Sequence, residues 1–186
     1  MFLVGPHQRP YIAVYPPASG LVVLKKNDVE PQAYRDAMAL FTGAVHVVTT
    51  DGPAGLRGAT VIAACSVSDK PPMVLVCVNR ENPKNEAFIQ NGRFALNTLC
   101  VKHEPLAVAF SGVTGLPVEE RFAMGDWSTI ATGAPTLVDA QAVFDCELFD
   151  TKDLATHRVL FGKVTGLRIA DSVKPLLYYN RSYRTL

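Results

Sequence analysis

Residues 57–84 read RGATVIAACSVSDKPPMVLVCVNRENPK, and this stretch decides which fold the chain can adopt. Between residues 59 and 67 the side chains are small, hydroxylic or β-branched, which predicts a strand that a flat molecule can approach closely. Residues 68–72 break the chain with two prolines. Residues 73–78 form a short apolar run bounded by turn signals, which predicts a second strand buried on both faces. The stretch therefore predicts β structure, with one strand following another through a turn.

Residues 79–84 predict the start of a helix. Asn82 is a favourable N-cap, and Pro83 suits the first helical position. A helix N-terminus attracts anions, and the ammonium group of Lys84 adds a positive charge beside it. A flat ring along the first strand and a phosphate at this helix start would together describe flavin mononucleotide (FMN). Tight strand packing and a solvated helix start would explain the same residues, so both interpretations stay open at this point.

The composition indicates a globular chain without a strongly charged face. Its 186 residues suffice for one domain with a substantial core, and the hydrophobic fraction of 48% is ordinary. The 18 Lys and Arg residues nearly balance the 17 Asp and Glu residues, which argues against nucleic acid as a partner. No run of 18 apolar residues occurs, so no membrane span is predicted. The low charged fraction, 19%, indicates that some surface is buried in an oligomer.

The cysteines show no pattern typical of a metal site. Cys65, Cys77, Cys100 and Cys146 form neither a Cys-x-x-Cys pair nor a zinc-binding spacing. Each lies in an apolar, strand-like run, so we expect reduced, buried and unreactive thiols; a catalytic thiol is the less favoured alternative. Thiols that stay reduced point to a cytoplasmic protein.

The sequence changes character near residue 30. Residues 1–30 carry prolines at positions 6, 10, 16 and 17 between short apolar pieces. They lack the basic start and the unbroken apolar segment of a secretory signal, so we interpret them as an N-terminal arm that is mobile or lies on a neighbouring subunit. Residues 31–186 are predicted to form one domain. It begins with a helix at residues 31–43, on which Tyr34, Met38 and Phe41 share one face.

Beyond this helix, strands follow strands more often than they alternate with helices. Further strands are predicted at residues 44–50, 93–99, 138–149, 157–169 and 176–179, further helices at 82–91 and 105–110, an irregular connection at 112–132 and a polar loop at 150–156. This pattern favours a mainly β fold, and we expect a closed antiparallel barrel with a few peripheral helices. Because Gly-x-Gly-x-x-Gly is absent, a nicotinamide cofactor would not bind through the phosphate cradle of a doubly wound sheet.

Several short motifs occur in an order and spacing that are specific when taken together. They are YRDAM at residues 34–38, VVTTDG at 47–52, CSVSDKPP at 65–72, LVCVNR at 75–80, RFALNTL at 93–99, FDC at 144–146, LFG at 160–162 and PLLYYNRSY at 175–183. Through these motifs residues 34–186 resemble the flavin reductase family, whose fold is the FMN-binding split β-barrel, antiparallel and Greek-key-like. Members are reductase components of two-component flavin-dependent monooxygenases. The chain is similar to the branch that holds the reductases of 4-hydroxyphenylacetate 3-monooxygenase and of pyrimidine utilisation.

The resemblance implies which residues bind the cofactors. Residues 60–62 and 65–66 would line the isoalloxazine ring, and residues 77–79 would continue that wall. Asn79, Pro83 and Lys84 would meet the ribityl chain and phosphate, and residues 109–110 would cover the phosphate-side edge. Two tail residues would help to hold the dinucleotide. The full set is Thr60, Val61, Ile62, Cys65, Ser66, Cys77, Val78, Asn79, Pro83, Lys84, Asn97, Ala109, Phe110, Arg181 and Tyr183. Alternative roles stay open for four of them: strand-end hydrogen bonding for Asn97, core packing for Phe110, and a dimer contact for Arg181 and Tyr183.

The catalytic residue implied by the resemblance is His157, which would face the nicotinamide. The family carries Gly-Asp-His here, whereas this chain carries Ala155, Thr156 and His157. The histidine is present, but the changed loop leaves the preference for NADH or NADPH open. A histidine that merely begins a strand is the alternative interpretation.

The resemblance implies an NAD(P)H:flavin oxidoreductase that reduces FMN (or FAD) with NADH (or NADPH). It would supply reduced flavin to a separate oxygenase component. Hydride transfer between stacked cofactors depends on their position rather than on a general base. We expect a cytoplasmic homodimer that binds neither nucleic acid nor a membrane. Four alternatives remain: an FMN-bound electron carrier, a pyridoxamine-phosphate-oxidase-like enzyme, a barrel that stores or senses flavin or haem, and a purely structural dimer.

Overall fold

The computed structural model describes residues 29–171 and 174–186. The chain divides into two compact units, residues 1–38 and 39–186. The predicted arm at residues 1–30 lies almost wholly outside the described residues, so the predicted boundary after residue 30 stays a prediction. Helix α1 (Pro31–Ala39) buries none of its residues. It ends four residues before the predicted end because Gly43 is already paired in a strand with Tyr178.

The second unit is mainly β, as predicted. Its strands are β1 (Gly43–Ala44), β2 (His46–Thr50), β3 (Arg57–Val61), β4 (Ala64–Asp69), β5 (Pro72–Asn79), β6 (Arg93–Thr98), β7 (Trp127–Ser128), β8 (Thr136–Leu137), β9 (Ala142–Leu154), β10 (His157–Ile169), β11 (Leu177–Tyr179) and β12 (Ser182–Arg184). Its helices are α2 (Ala87–Gln90), α3 (Glu104–Ser111) and α4 (Val118–Phe122), with 3₁₀ turns at Pro83–Glu86 and Val101–His103.

Seven strands form one antiparallel sheet in the order β3-β2-β6-β9-β10-β5-β4. Its two edge strands, β3 and β4, are consecutive in the chain and are separated only by Ile62 and Ala63. The chain therefore passes from one edge of the curled sheet to the other within two residues, and the amide of Cys77 on β5 donates to the carbonyl of Ala63 at 2.9 Å and fixes this corner. The single strand predicted at residues 59–67 is therefore wrong, because closing the sheet requires the chain to bend in its middle.

The core lies on both faces of the sheet. One cluster gathers Val48, Phe94, Leu96 and residues of five further elements, including Leu160. The other cluster gathers Val47, Ala95 and the apolar sides of α3 and α4. Successive residues of β2 and β6 thus belong to different clusters, as the twofold alternation of a strand requires.

Strand β5 corrects a second prediction. Val74, Val76 and Val78 are buried, whereas Met73, Leu75 and Cys77 are only partly buried. The run is therefore not buried on both faces; it alternates, and its second face borders the cavities described below.

Two predicted connections also differ from the structure. Strand β9 continues to Leu154, so the loop expected at residues 150–156 shrinks to a two-residue turn in which Ala155 has φ +49°. The long β9–β10 ladder provides the backbone partners that make those polar residues extended. The connection expected to be irregular at residues 112–132 contains α4 and β7.

The cysteines are free, but the prediction that all four are buried is wrong. Cys100 and Cys146 are buried, Cys77 is partly buried and Cys65 is exposed on edge strand β4. Burial raises the pKa of the Cys146 thiol to about 12. Among the described residues, no helix is long and apolar enough to cross a membrane.

Candidate active site

A cavity of about 1070 Å³ lies at the end of the sheet where Asn79 of β5 pairs with His157 of β10. Strand β3 forms one wall and the turn after β5 forms another. The end of α3, the following loop and α4 contribute the remaining side. The site therefore joins elements that are far apart in the chain.

Nine of the sequence-predicted residues line this cavity. They are Thr60, Val61, Ile62, Cys77, Val78, Asn79, Lys84, Phe110 and His157. Most of them present apolar or backbone surface. The hydroxyl of Thr60 donates to the carbonyl of Ala107 at 2.6 Å, so its proton is used within the protein and only its lone pairs remain for a ligand. Burial is the main cause of the raised pKa of the Cys77 thiol, with a smaller contribution from Cys65, so Cys77 forms an uncharged part of the wall.

The helix start predicted after β5 is present, but it is short. The side chain of Asn82 accepts the amide of Lys84 at 3.1 Å, and Pro83 occupies the first turn. The turn Pro83–Glu86 is 3₁₀ and leads into the four-residue helix α2. A helix this short has only a small macrodipole. The positive charge at this position therefore comes from the exposed side chain of Lys84. Pro83 shapes the turn without lining the cavity.

The sequence analysis missed a buried arginine at this position. Arg57, the first residue of β3, is only 8% exposed and lines the cavity. Its Nε and Nη2 atoms both donate to Oδ1 of Asn85, at 2.9 and 2.8 Å. Asn85 in turn donates from Nδ2 to the carbonyl of Asn79 at 2.7 Å, so it links β3 to the end of β5. The only signal in the sequence is one basic residue at the head of a strand of small residues.

A second arginine reaches the cavity from α4. Nε of Arg121 donates to the carbonyl of Leu116 at 2.7 Å. Burial is the main cause of the lowered pKa of Arg57, and the positive charge of Arg121 lowers it further. Within the described residues neither arginine forms an ion pair. Among the described residues that line the cavity, Glu119 is the one carboxylate.

His157 occupies the rim of the cavity. It is exposed, and its Nδ1 atom lies 2.9 Å from the hydroxyl of Thr156. The next residue, Arg158, contacts Glu86 at 2.7 Å and also pairs with Asp153. These ion pairs raise the pKa of Arg158. The strand that carries His157 is thus tied to the turn that carries Lys84.

Cys65 and Ser66 lie elsewhere. They line a second cavity of about 590 Å³, together with His46, Leu96, Phe144 and Leu167, which we call the apolar groove. The groove lies toward the opposite end of β5 and β10, where Met73 pairs with Lys163. The bend at residues 62–63 separates these two residues from Thr60, so they do not line the cavity that contains Thr60 to Ile62, and their contact with the ring stays a prediction.

Asn97 and Ala109 are buried and line neither cavity. Nδ2 of Asn97 donates to the carbonyl of Val47 at 2.9 Å, and its Oδ1 accepts the amide of Leu137 at 2.8 Å. This network corresponds to the alternative role, structural hydrogen bonding between strands. Phe110 combines both roles, because it lines the cavity and packs edge-on against Phe122 with ring centroids 5.0 Å apart.

The two tail residues also lie outside the cavity lining. Arg181 forms the turn between β11 and β12 with φ +58°. Tyr183 packs edge-on against Tyr178 beside the core cluster that contains Val47 and Ala95, and burial is the main cause of the raised pKa of Tyr183. Their predicted contact with a dinucleotide stays a prediction.

One other cluster has the elements of a nucleophilic triad. Sγ of Cys100 lies 3.2 Å from Nδ1 of His103, whose Nε2 lies 3.0 Å from Asp139. However, the amide of Cys100 also donates to Nδ1, at 3.3 Å, and Cys100 is only 3% exposed. The cluster lines neither cavity, so its geometry is that of a cap on the 3₁₀ turn. Within the described residues, no group of three or more His, Cys, Asp or Glu could hold a metal ion.

The sequence and the fold of this chain are similar to those of known flavin reductases. The model of the flavin reductase like domain matches residues 38–186. FMN reductase (NADH) RutF of Bradyrhizobium diazoefficiens is 46% identical over 163 residues, which are 88% of this chain and 89% of that protein. The structure of flavin reductase HpaC complexed with NADP+ is 30% identical, with a TM-score of 0.75 over 84% of this chain and 98% of that chain.

A third similar protein is the styrene monooxygenase flavin reductase of Pseudomonas putida S12. It is 27% identical, with a TM-score of 0.70 over 82% of this chain and 96% of that chain. Similar folds at this coverage identify the curled sheet as the predicted split barrel. The chain belongs to the family of the flavin reductase like domain.

Proposed function

We propose that the protein is an NADH-dependent FMN reductase that supplies reduced flavin to a separate monooxygenase. The observation that carries the proposal is the cavity beside β3, whose apolar wall adjoins cations that have no ion-pair partner among the described residues. Its volume of about 1070 Å³ is at the upper end of the range for small-molecule and cofactor sites. The relatives named FMN reductase (NADH) support the choice of FMN and NADH over FAD and NADPH.

The residues present fit a phosphorylated flavin. Val61, Ile62 and Val78 offer an apolar surface to a planar ring, and Lys84 offers a charge to a phosphate. Cys77 and Asn79 extend the wall between the two. The predicted contacts of Cys65, Ser66, Asn97 and Ala109 receive no such support from the geometry, and we leave them out of the proposed site.

When bound, the flavin takes up a hydride and the nicotinamide supplies it. The chain contributes position and exclusion of water. Strand β3 and the end of β5 present a rigid wall, since both are paired within the seven-stranded sheet. His157 at the rim has a ring nitrogen, Nε2, available to orient a carboxamide, while Nδ1 faces the hydroxyl of Thr156. No side chain is required to remove a proton from a reacting carbon.

We propose that the active form is a cytoplasmic homodimer. Exposed apolar side chains support the dimer; Phe41, Phe149 and Ile169 are 70%, 67% and 78% exposed. The free cysteines support a reducing compartment. Sedimentation at micromolar concentration should give a dimer. A monomer that retains full activity would contradict this part of the proposal.

One experiment tests the reaction. The absorbance spectrum of the purified protein is recorded after FMN is added and again after NADH is added, without oxygen. Bleaching of the oxidised flavin, with catalytic turnover when free FMN is in excess, is the expected result. Binding without bleaching would instead favour an electron carrier or a storage protein. Aldehyde formation from pyridoxamine phosphate would favour the oxidase alternative, and no flavin binding would favour a structural role.

A further inference from the structure

We propose that Arg57 and Arg121 bind the phosphate monoester of the flavin and so determine the preference for FMN over riboflavin. This inference rests on the proposed function. It concerns two side chains to which the sequence motifs assign no role, and it derives from the unbalanced charge of the cavity.

The first step is the burial of Arg57. A guanidinium that is only 8% exposed would normally be paired with a carboxylate, because removing a charge from water is costly. Its only hydrogen-bond partner in residues 29–171 and 174–186 is the neutral amide oxygen of Asn85. Both bonds use Nε and Nη2, which leaves Nη1 without a protein acceptor in this part of the chain. The side chain is therefore held in place but its charge is not balanced.

The second step is the position of Arg121. It lines the same cavity, and its charge acts on Arg57 strongly enough to lower the pKa of that residue. Its one hydrogen bond within the described residues uses Nε, so both terminal nitrogens remain available. Two like charges thus act on each other, and no carboxylate in the part of the chain that the structure describes pairs with either. An anion bound by both would remove this repulsion.

The third step is the charge of the anion. The described residues that line the cavity include three cations, Arg57, Lys84 and Arg121. They also include one carboxylate, Glu119, so the net charge of the lining is +2. A phosphate monoester carries about −1.5 to −2 at neutral pH. It also offers several acceptor oxygens, which suit the planar donor fork of arginine. The charge and donor set of the cavity thus match a phosphate monoester.

The fourth step concerns the source of the phosphate. FMN carries a phosphate monoester, whereas each phosphorus of the NADH diphosphate bridge carries one ribose ester and the shared anhydride oxygen, which leaves one negative charge on each; NADPH has a further monoester. Arg57 is attached through Asn85 to the turn that carries Lys84. Arg57 is therefore fixed beside the turn already proposed for the flavin phosphate, and Arg121 lines the same cavity and acts electrostatically on Arg57. We assign them to FMN, and the 2′-phosphate of NADPH becomes an outcome of the test.

The experiment compares Arg57→Gln and Arg121→Gln with wild type. Arg80→Gln is the matched control, because Arg80 follows β5 directly, is paired with Asp153 and does not line the cavity. Affinities for FMN and for riboflavin are measured by equilibrium fluorescence titration. Each test variant should bind FMN about ten-fold to a hundred-fold more weakly, the range for one charge-assisted hydrogen-bonding group. Riboflavin affinity should change less than about two-fold, and the control should match wild type for both flavins.

A second measurement does not depend on flavin reduction. Inorganic phosphate should raise the Tm of the wild-type protein and of Arg80→Gln, and should raise the Tm of the two test variants less. Circular dichroism establishes that the variants are folded. If Arg57→Gln does not fold, Arg121→Gln decides, since its side chain is less buried.

Several results would overturn the inference. One is an equal loss of affinity for FMN and riboflavin, and another is an unchanged affinity for FMN. A third is a raised KM for NADPH alone, which would assign the arginines to the 2′-phosphate of the dinucleotide. Stabilisation of every variant by phosphate to the same extent would also overturn it. The result is independent of the proposed reaction: selective loss of FMN in a protein that does not oxidise NADH would support the phosphate site and refute the reductase.

Discussion

The two cavities lie toward opposite ends of the same pair of strands, β5 and β10, yet their chemistry differs. The cavity at the Asn79 end contains three cations that have no carboxylate partner among the described residues. The apolar groove at the Met73 end is lined largely by aliphatic and aromatic side chains, and its histidine, His46, stays neutral because burial lowers its pKa to about 4.

The two ends of the barrel therefore differ in the ligands that they could bind. The cations lie at the end where an anionic ligand could balance them, while the other end carries mainly apolar surface, uncharged polar groups and one carboxylate, Asp69. The contrast also favours one cavity as the ligand site. Both cavities, of about 1070 and 590 Å³, are large enough for a small molecule, but the larger one has the cations that a phosphorylated ligand needs. The following predictions are designed to remove or refine this contrast, beginning with the largest expected effect.

Gly58→Ala should remove the cation-lined cavity by displacing its wall. A Cβ at this position would lie 2.4 Å from Phe110, a fully buried ring that packs on Phe122 and Trp127. We expect unfolding free energy to fall by about 3 kcal/mol or more, at the upper end of overpacking effects. Urea unfolding measures this loss. Gly43→Ala is the control, since its nearest neighbour would be Ile62 at 3.4 Å; equal stability of the two variants would contradict the prediction.

His46 should make the apolar groove sensitive to acid. Its pKa is near 6.5 in the unfolded chain and about 4 in the folded protein, so the unfolded state binds more protons between these values. The contribution to stability is complete above about pH 6.5 and is lost as the pH falls toward 4. The expected loss is about 3 kcal/mol.

The variant His46→Gln keeps a donor for the hydroxyl of Thr98, which lies 3.1 Å from Nδ1 of His46, but it does not titrate. The difference in stability between wild type and variant should therefore shrink as the pH falls. Parallel stability curves from pH 7 to pH 4 would show that His46 does not titrate with unfolding. Buried His103, whose pKa is also lowered, should leave some acid sensitivity in both proteins.

Lys84→Ala should weaken FMN binding and spare riboflavin. Its ammonium is exposed at the edge of the cation-lined cavity, so removing it leaves the two arginines in place. We expect a loss of roughly 1.5–3 kcal/mol for FMN, the value of one charge-assisted hydrogen bond. Fluorescence titration of both flavins tests this, and equal losses for the two would remove Lys84 from the phosphate site.

His157→Ala should have the smallest energetic effect of these substitutions. It should impair the positioning of the nicotinamide and leave flavin binding nearly unchanged. Loss of one positioning hydrogen bond predicts a fall in kcat/KM of about ten-fold, or roughly 1–2 kcal/mol. FMN affinity should change little, because the proposed flavin contacts lie on β3 and β5. Anaerobic stopped-flow reduction gives the rate. An unchanged rate would make His157 a strand-start residue, and a collapse of FMN affinity would make it structural.

Several features of the fold could be predicted from local sequence. The hairpin of β2 and β3 follows from valine and threonine runs around the turn at residues 51–55. The cap at Asn82, with Pro83 behind it, was predicted correctly because a cap is decided by residues two or three positions apart. The motifs predicted the family, and through it nine residues that line one cavity.

The tertiary structure decided what distant residues do together. The bend at Ile62 and Ala63 carries the chain from one edge strand of the sheet to the other, and beyond it Cys65 and Ser66 line the apolar groove. The side chain of Asn97 forms hydrogen bonds with Val47 on β2 and Leu137 on β8, partners that no local pattern indicates. Arg57 and Arg121 repel each other only after β3 and α4 are brought to the same cavity. Local propensity acts over a few residues, whereas the charge of a site depends on which distant side chains folding places together.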